Sequence, residues 1–116
     1  MVVRKKELAT LRRGSIIKVS FDPTVGHEQA GYRPALVVSD MLLHQKTGFA
    51  LCIPLTSKHK DLVFEFEVKG VQIHGYALPQ STRMLDLQNR HFLFIEPATN
   101  ESLEKAQSIL NKIITE

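Results

Sequence analysis

Phe21-Asp22-Pro23-Thr24-Val25-Gly26-His27-Glu28-Gln29-Ala30-Gly31-Tyr32-Arg33-Pro34-Ala35-Leu36-Val37-Val38-Ser39 contains a strand end, a polar loop and a second strand. On its N-terminal side Ile17, Val19 and Phe21 alternate with Lys18 and Ser20, the period of a strand with one face on a core. On its C-terminal side Ala35-Leu36-Val37-Val38 is a short apolar run, as expected of a strand buried on both faces. Between them Pro23, Gly26 and Gly31 break any regular element, and Asp22, Thr24, His27, Glu28, Gln29, Tyr32 and Arg33 crowd together. Ordering so polar a loop is costly, and loops of this kind are where function concentrates.

Outward from this stretch the chain keeps to short strands. Residues 1–13 form a basic N-terminal extension in which Leu8 and Leu11, three apart, allow one turn of helix. Met41–Lys46 suggests a short helical turn, and Phe49–Leu55 a third strand. Leu62, Phe64, Phe66 and Val68 alternate with outward residues, which makes Glu65 and Glu67 solvated edge charges and Phe64 and Phe66 core. Gln72–Leu78 is another strand, ended or edged by Pro79, which cannot donate to a ladder. Arg83–Gln88 reads as one or two helical turns, and Phe92–Ile95 as a final strand. After Pro97, Thr99 or Asn100 can cap a helix whose apolar face carries Leu103, Ala106, Leu110, Ile113 and Ile114. Five or six strands and one terminal helix predict a mostly β, α+β fold: a small curved barrel over 14–95 and a helix over 98–115, in one domain.

Composition narrows the setting. Fifteen Lys and Arg against twelve Asp and Glu leave +3, too little by itself to require a nucleic-acid partner, although Arg4, Lys5, Lys6, Arg12, Arg13 and Lys18 cluster near the start. A solvated tail is the plainer reading of that cluster. Cys52 is the single cysteine, so no intramolecular disulfide forms; its apolar surroundings predict a buried thiol, not a nucleophile. His27, His44, His59, His74 and His91 lack metal-ligand spacing, so neither metal nor cofactor is expected. No run reaches the ~20 apolar residues of a membrane span and no signal pattern opens the sequence, which together predict a cytoplasmic protein.

The polar loop has the groups that RNA cleavage without metal requires: a base for the 2′-hydroxyl, an acid for the 5′-oxygen and a cation for the phosphoryl oxygens. Glu28 and His27 supply base or acid, in either order, and Arg33 a planar charged fork. Thr56 and Ser57 add donors after the third strand. The plainer alternatives are a solvated Glu28, a His27 that fills a turn, and an Arg33 that pairs with Glu28 to hold the loop. Tyr32 and Phe21 flank the loop as stacking candidates, Phe21 being equally a core residue.

Asp22-Pro23-Thr24-Val25-Gly26-His27-Glu28-Gln29-Ala30-Gly31-Tyr32-Arg33-Pro34 resembles the signature of the MazF/PemK/Kid toxins, small ribonucleases of type II toxin–antitoxin pairs, and the similarity runs over roughly Gly14 to Arg90. The resemblance implies an SH3-like barrel of the MazF/PemK/CcdB kind, a homodimer, and sequence-specific cleavage of single-stranded RNA or mRNA that arrests growth. It implies an acidic MazE/PemI-like antitoxin as partner. It assigns Arg33 and Thr56 to the scissile phosphate and Glu28 to the base, with His27 as an acid–base participant. Asp22, Pro23 and Gln29 become loop-shaping or RNA-contacting positions, and Thr24, Tyr32, Ser57, Gln80 and Arg83 RNA-binding ones. One departure stands out: Pro79 occupies the place where the family carries an acid or amide, and Ala77 the place of an Arg. The alternative catalytic pair is therefore absent, and the working set is Glu28, Arg33 and Thr56 with His27. Competing readings keep the fold without RNA cleavage: a CcdB-like topoisomerase poison, against which the absence of Trp counts, or a module that only binds RNA or antitoxin.

Overall fold

The computed structural model describes residues 6–22 and 31–115. In chain order the elements are α1 (Lys6–Ala9), β1 (Ser15–Ser20), β2 (Tyr32–Val37), α2 (Met41–Thr47), β3 (Phe49–Thr56), β4 (Phe66–Lys69), β5 (His74–Ala77), a 3-10 turn (Pro79–Ser81), β6 (Arg83–Asp86), β7 (Phe92–Pro97) and α3 (Asn100–Ile114). All strand pairs are antiparallel, and the sheet runs β4-β5-β3-β2-β1-β7 with β6 also on β3. The sheet curls into a half-barrel with the C-terminal helix against it.

β3 organises the sheet because it is paired along both edges. Cys52 faces Val37 of β2 on one edge and Arg83 of β6 on the other. Further along that second edge, Leu55 and Thr56 pair with Ala77 and Tyr76 of β5. β5 and β6 thus lie end to end along β3, divided by the turn at Pro79, whose missing N–H suits a break in the ladder.

Successive side chains on a strand point to opposite faces, and here both faces are covered. Ile17, Val19, Ala35, Val37, Ala50 and Cys52 share one buried cluster with Leu8 and Leu11 of the N-terminal segment. Ile16, Leu36, Ile53 and Leu55 belong to a second, closed by Ala106 and Ile109 of α3. The two-sided burial expected of β2 is found; β1, expected to bury one face, also buries Ile16 on the other. Leu8 and Leu11 are core residues, so the described part of the basic N-terminal segment is more than a solvated tail. Cys52 is fully buried, and burial pushes its thiol up to about 12, which leaves it inert at neutral pH.

Three element readings are corrected. Arg83–Gln88 is not helical: Leu85 and Leu87, two apart and both fully buried, mark a strand whose partner is Phe49–Cys52. The alternation from Leu62 yields a strand only from Phe66; Leu62 and Val63 are exposed because the chain turns there. On α3 the buried stripe is Ser102, Ala106 and Ile109, and Ile113 and Ile114 are exposed where the helix outruns the sheet. Among the described residues the strands number seven, not five or six. Thr99 caps α3 as expected, its Oγ1 accepting the Ser102 N–H at 3.1 Å.

Candidate active site

The β2–β3 ladder ends at Ala35 against Pro54, and Arg33 and Thr56 lie two residues beyond that last pair on their strands. Both line one groove of about 600 Å³, together with Pro34, Leu55, Ser57, Lys58, Lys60, Gln72, Ile73, His74 and Gly75. Arg33, Lys58 and Lys60 are permanent cations, His74 can become one, and no carboxylate is among the described lining residues. The opposite wall comes from β5, drawn against β3 at Gly75. A Cβ there would sit 2.8 Å from the Thr56 carbonyl oxygen, so only glycine permits this approach.

Thr56 is poised as a donor. Its Oγ1 already accepts the Lys58 N–H at 3.3 Å, which leaves the hydroxyl proton for an oxygen in the groove. The loop that carries Lys58 and Lys60 is held from below by Glu65. This side chain is only 2% exposed and accepts from the N–H of Lys60 at 3.0 and 3.2 Å and of Asp61 at 3.4 Å, with His59 Nε2 at 3.2 Å. The expectation that Glu65 is a solvated edge charge is therefore wrong. Its anion is spent on loop N–H groups, and Asp61 takes a left-handed φ of 56° to present them. The outward reading of Glu67 is correct; its carboxylate meets His74 Nε2 at 2.5 Å and lies 3.8 Å from Lys69 Nζ.

Across the sheet stands the neck of the polar loop. Phe21 N–H donates to Gly31 O at 2.9 Å, and Asp22 Oδ1 accepts the Gly31 N–H at 3.1 Å, with Gly31 at φ 86°. Two guanidinium groups fasten this neck. Arg83 Nη1 donates to Phe21 O, and Arg90 Nη1 donates to Asp22 O and, at 3.0 Å, to Ser20 O. Asp22 is thus found in a loop-shaping contact, and Arg83, expected to bind RNA, is engaged with the backbone of Phe21. Phe21 is fully buried, which decides its case for the core. Tyr32 is 44% exposed, its ring stacked on His91 at 6.3 Å with Lys18 Nζ 5.2 Å from its centroid. Gln80 is exposed on the 3-10 turn. Pro23, Thr24, His27, Glu28 and Gln29 lie outside the described residues.

The structure therefore joins Arg33, Thr56 and Ser57 in one cationic groove and adds Lys58, Lys60 and His74, which the sequence reading did not select. Glu96, also unselected, is a second hidden clamp. Buried in β7, it accepts the N–H of Val71, Gln72 and Ile73 at 2.9, 2.9 and 2.8 Å and so shapes the turn leading into the β5 wall. Burial works against its charge, but these three donors outweigh it and hold the carboxyl below its ordinary range. Among the described residues, no three His, Cys, Asp or Glu side chains converge as a metal site requires.

Residues 12–114 match a family described as the PemK-like, MazF-like toxins of type II toxin–antitoxin systems. The chain is 36% identical to the endoribonuclease toxin MazF of Escherichia coli K12 over 101 residues, covering 87% of this chain and 91% of that protein. Its fold superposes on the crystal structure of MazF from Deinococcus radiodurans with a TM-score of 0.84 at 30% identity, covering 89% and 94% of the two chains. A MazE–MazF crystal structure from the same organism aligns with a TM-score of 0.76, also at 30% identity.

Proposed function

We infer the function from one premise: this chain belongs to the PemK-like, MazF-like toxin family of type II toxin–antitoxin systems. It is an endoribonuclease toxin. The chemistry we assign it is transesterification within single-stranded RNA. The 2′-oxygen attacks the adjacent phosphorus, the bond to the 5′-oxygen breaks, and the products are a 2′,3′-cyclic phosphate and a 5′-hydroxyl. Arg33 and the Thr56 hydroxyl grip the phosphoryl oxygens as charge grows on them. Glu28 and His27, from the polar loop, take the proton from the 2′-hydroxyl and return one to the leaving oxygen. Pro23, Thr24 and Gln29 of that loop, with Asp22, Tyr32, Ser57, Gln80 and Arg83, shape it or contact the RNA.

One observation carries this reading. Arg33 and Thr56, from different strands, line a single groove whose described charges are all positive, as a polyanion requires. The groove supplies cationic stabilisation from side chains, so cleavage proceeds without a divalent ion. The protein works as a homodimer in the cytoplasm; among the described residues no helix is long and apolar enough to cross a membrane. Its partner is a MazE-like antitoxin with an acidic segment that covers the groove, the pairing named in the related complex.

The test is single-turnover cleavage of mixed-sequence single-stranded RNA, paired with melting temperature. Arg33→Ala loses on the order of 10²–10³ in kcat while staying folded, the effect of deleting one preorganised donor. Arg33→Lys is impaired because it loses the bidentate fork. Wild-type cleavage survives EDTA and stops at near-stoichiometric antitoxin. A folded Arg33→Ala variant cutting at the native rate would remove Arg33 from the site, and restoration by a divalent ion after EDTA would overturn the metal-free mechanism. Sedimentation of the free protein as a monomer would refute the dimer, and recovery with the membrane fraction would refute the location.

A further inference from the structure

The groove is larger than one phosphate needs; at about 600 Å³ it has the scale of pockets that enclose a whole small ligand. Arg33 and Thr56 take up one end of its chemistry. The β5 wall and the loop after β3 contribute a second set of charges: Lys58, Lys60 and His74. Of the described lining residues, His74 alone has a side chain of the kind that changes charge between pH 5 and 8.

His74 is also braced. Its Nε2 bonds Glu67 across the β4–β5 ladder at 2.5 Å, and its Nδ1 has no partner among the described residues. Glu67 lines a different groove, beside α3, and is not among the residues lining the cationic one. The bond from His74 is the chief reason the Glu67 carboxyl lies below its ordinary range, although burial opposes it; Lys69, His74 and His59 add to the effect through their charge. Other groups around His74 are Lys69 opposite on β4, Tyr76 at 6.2 Å on β5, Lys58, His59 and Lys60 in the loop after β3, and Arg33 on β2. Those beside the groove are mostly positive, and Glu67 is the group that makes a protonated His74 tolerable among them.

We propose that His74, braced by Glu67 and joined by Lys58 and Lys60, forms a second phosphate subsite that holds an RNA phosphate neighbouring the one at Arg33 and Thr56 while the imidazole is protonated, and releases it when the imidazole is neutral. This rests on the ribonuclease reading of the groove. It makes RNA affinity fall as pH rises, independently of the chemical step.

The probe is a fluorescent, mixed-sequence 2′-O-methyl RNA, which cannot be cut because its 2′-oxygen carries no proton. Binding of the full-length protein is measured at pH 5.5 and pH 8. Wild-type affinity falls about fivefold between them, the effect of one exposed charged contact. His74→Gln binds weakly at both pH values, and His74→Lys, which keeps a charge throughout, binds tightly at both. At pH 5.5 the slope of log affinity on log salt falls by about 0.7 in His74→Gln, the value for one contact to a single strand. Cleavage by His74→Gln shows a raised KM at pH 5.5 and an unchanged kcat. His59→Gln keeps the pH step, and circular dichroism checks that each variant is folded. A pH step that persists in His74→Gln, or that vanishes in His59→Gln, overturns the subsite. If the wild type cuts RNA but shows no step, only this proposal fails; if it neither binds nor cuts, the ribonuclease reading fails with it.

Discussion

His44 is neutral because the fold leaves no room for its charge. The ring is fully buried, Nδ1–H donates to Leu11 O at 2.8 Å, and Nε2 accepts the Ser39 hydroxyl at 2.6 Å. Ser39 Oγ in turn accepts the Leu51 N–H at 2.9 Å, which ties α2, the N-terminal segment and β3 to one imidazole. Burial lowers the pKa from 6.5, against the opposing pull of Leu11 O and Asp40. The unfolded chain therefore takes up a proton first on acidification. The contribution is fully present above about pH 6.5 and is lost as pH falls below it. A melting temperature that drops between pH 7 and pH 5 in the wild type is the expected result. In His44→Leu that slope disappears, and stability falls by about 1–3 kcal/mol at pH 7 because Leu11 O and the Ser39 hydroxyl lose their partner. Residue roles of this sort are poorly legible in sequence. Arg33 and Thr56 are singled out by the family resemblance, with the charged fork of Arg33 and the place of Thr56 after the third strand pointing the same way. Glu65 and Glu96 could not be, since nothing local says that a carboxylate will turn inward onto N–H groups of a distant turn.

The element that most shapes the groove's second wall is the turn between β4 and β5, and Glu96 holds it from β7. Gly70 fits because a Cβ there would sit 2.5 Å from Glu96 Oε2. With its carboxyl held below the ordinary range, Glu96 supports the turn fully above about pH 4.5, and the support fades as pH falls through its lower folded value. In Glu96→Gln one acceptor oxygen and the charge are gone, so amide exchange at Val71, Gln72 and Ile73 speeds up at pH 7. The KM for RNA rises as the wall loosens, while exchange in β1 and β2 stays unchanged. Unchanged exchange at Val71, Gln72 and Ile73 would show that the turn holds its own shape. Elements were read well where period and burial agreed, as in β1, β2 and β3. The reading failed where a side chain overrode the period. Glu65, folding back onto Lys60 and Asp61, turns the chain that alternation had extended to Leu62, and Leu85 and Leu87 lay in a stretch read as one or two helical turns.

At the scale of the molecule, two cores back to back explain why so short a chain supports a rigid groove. α1 and Leu11 seal one face, α3 seals the other, and β3 runs between them with partners on both edges. The family resemblance made this architecture legible as a class, and alternation supported it; the strand order and the division of β5 from β6 at Pro79 are products of long-range pairing that no local pattern encodes. One pairing has a consequence for how the chain is born. β1 is bonded along its outer edge to β7, from Ser15 against Pro97 to Val19 against Phe92. During synthesis, at about 5–20 residues per second, β1 and β2 emerge several seconds before β7 can follow, roughly 3–12 s for the intervening chain. Through that interval β1 has an open edge and the first core has no Phe92. Nascent chains stalled before residue 92 are therefore expected to be cut rapidly by added protease, and chains stalled far enough beyond Pro97 to resist. Equal resistance in both would show that the sheet closes without its last strand. On this account the groove stays without a stable frame until β7 has been made, so the order in which the strands are made delays a competent groove on the nascent chain.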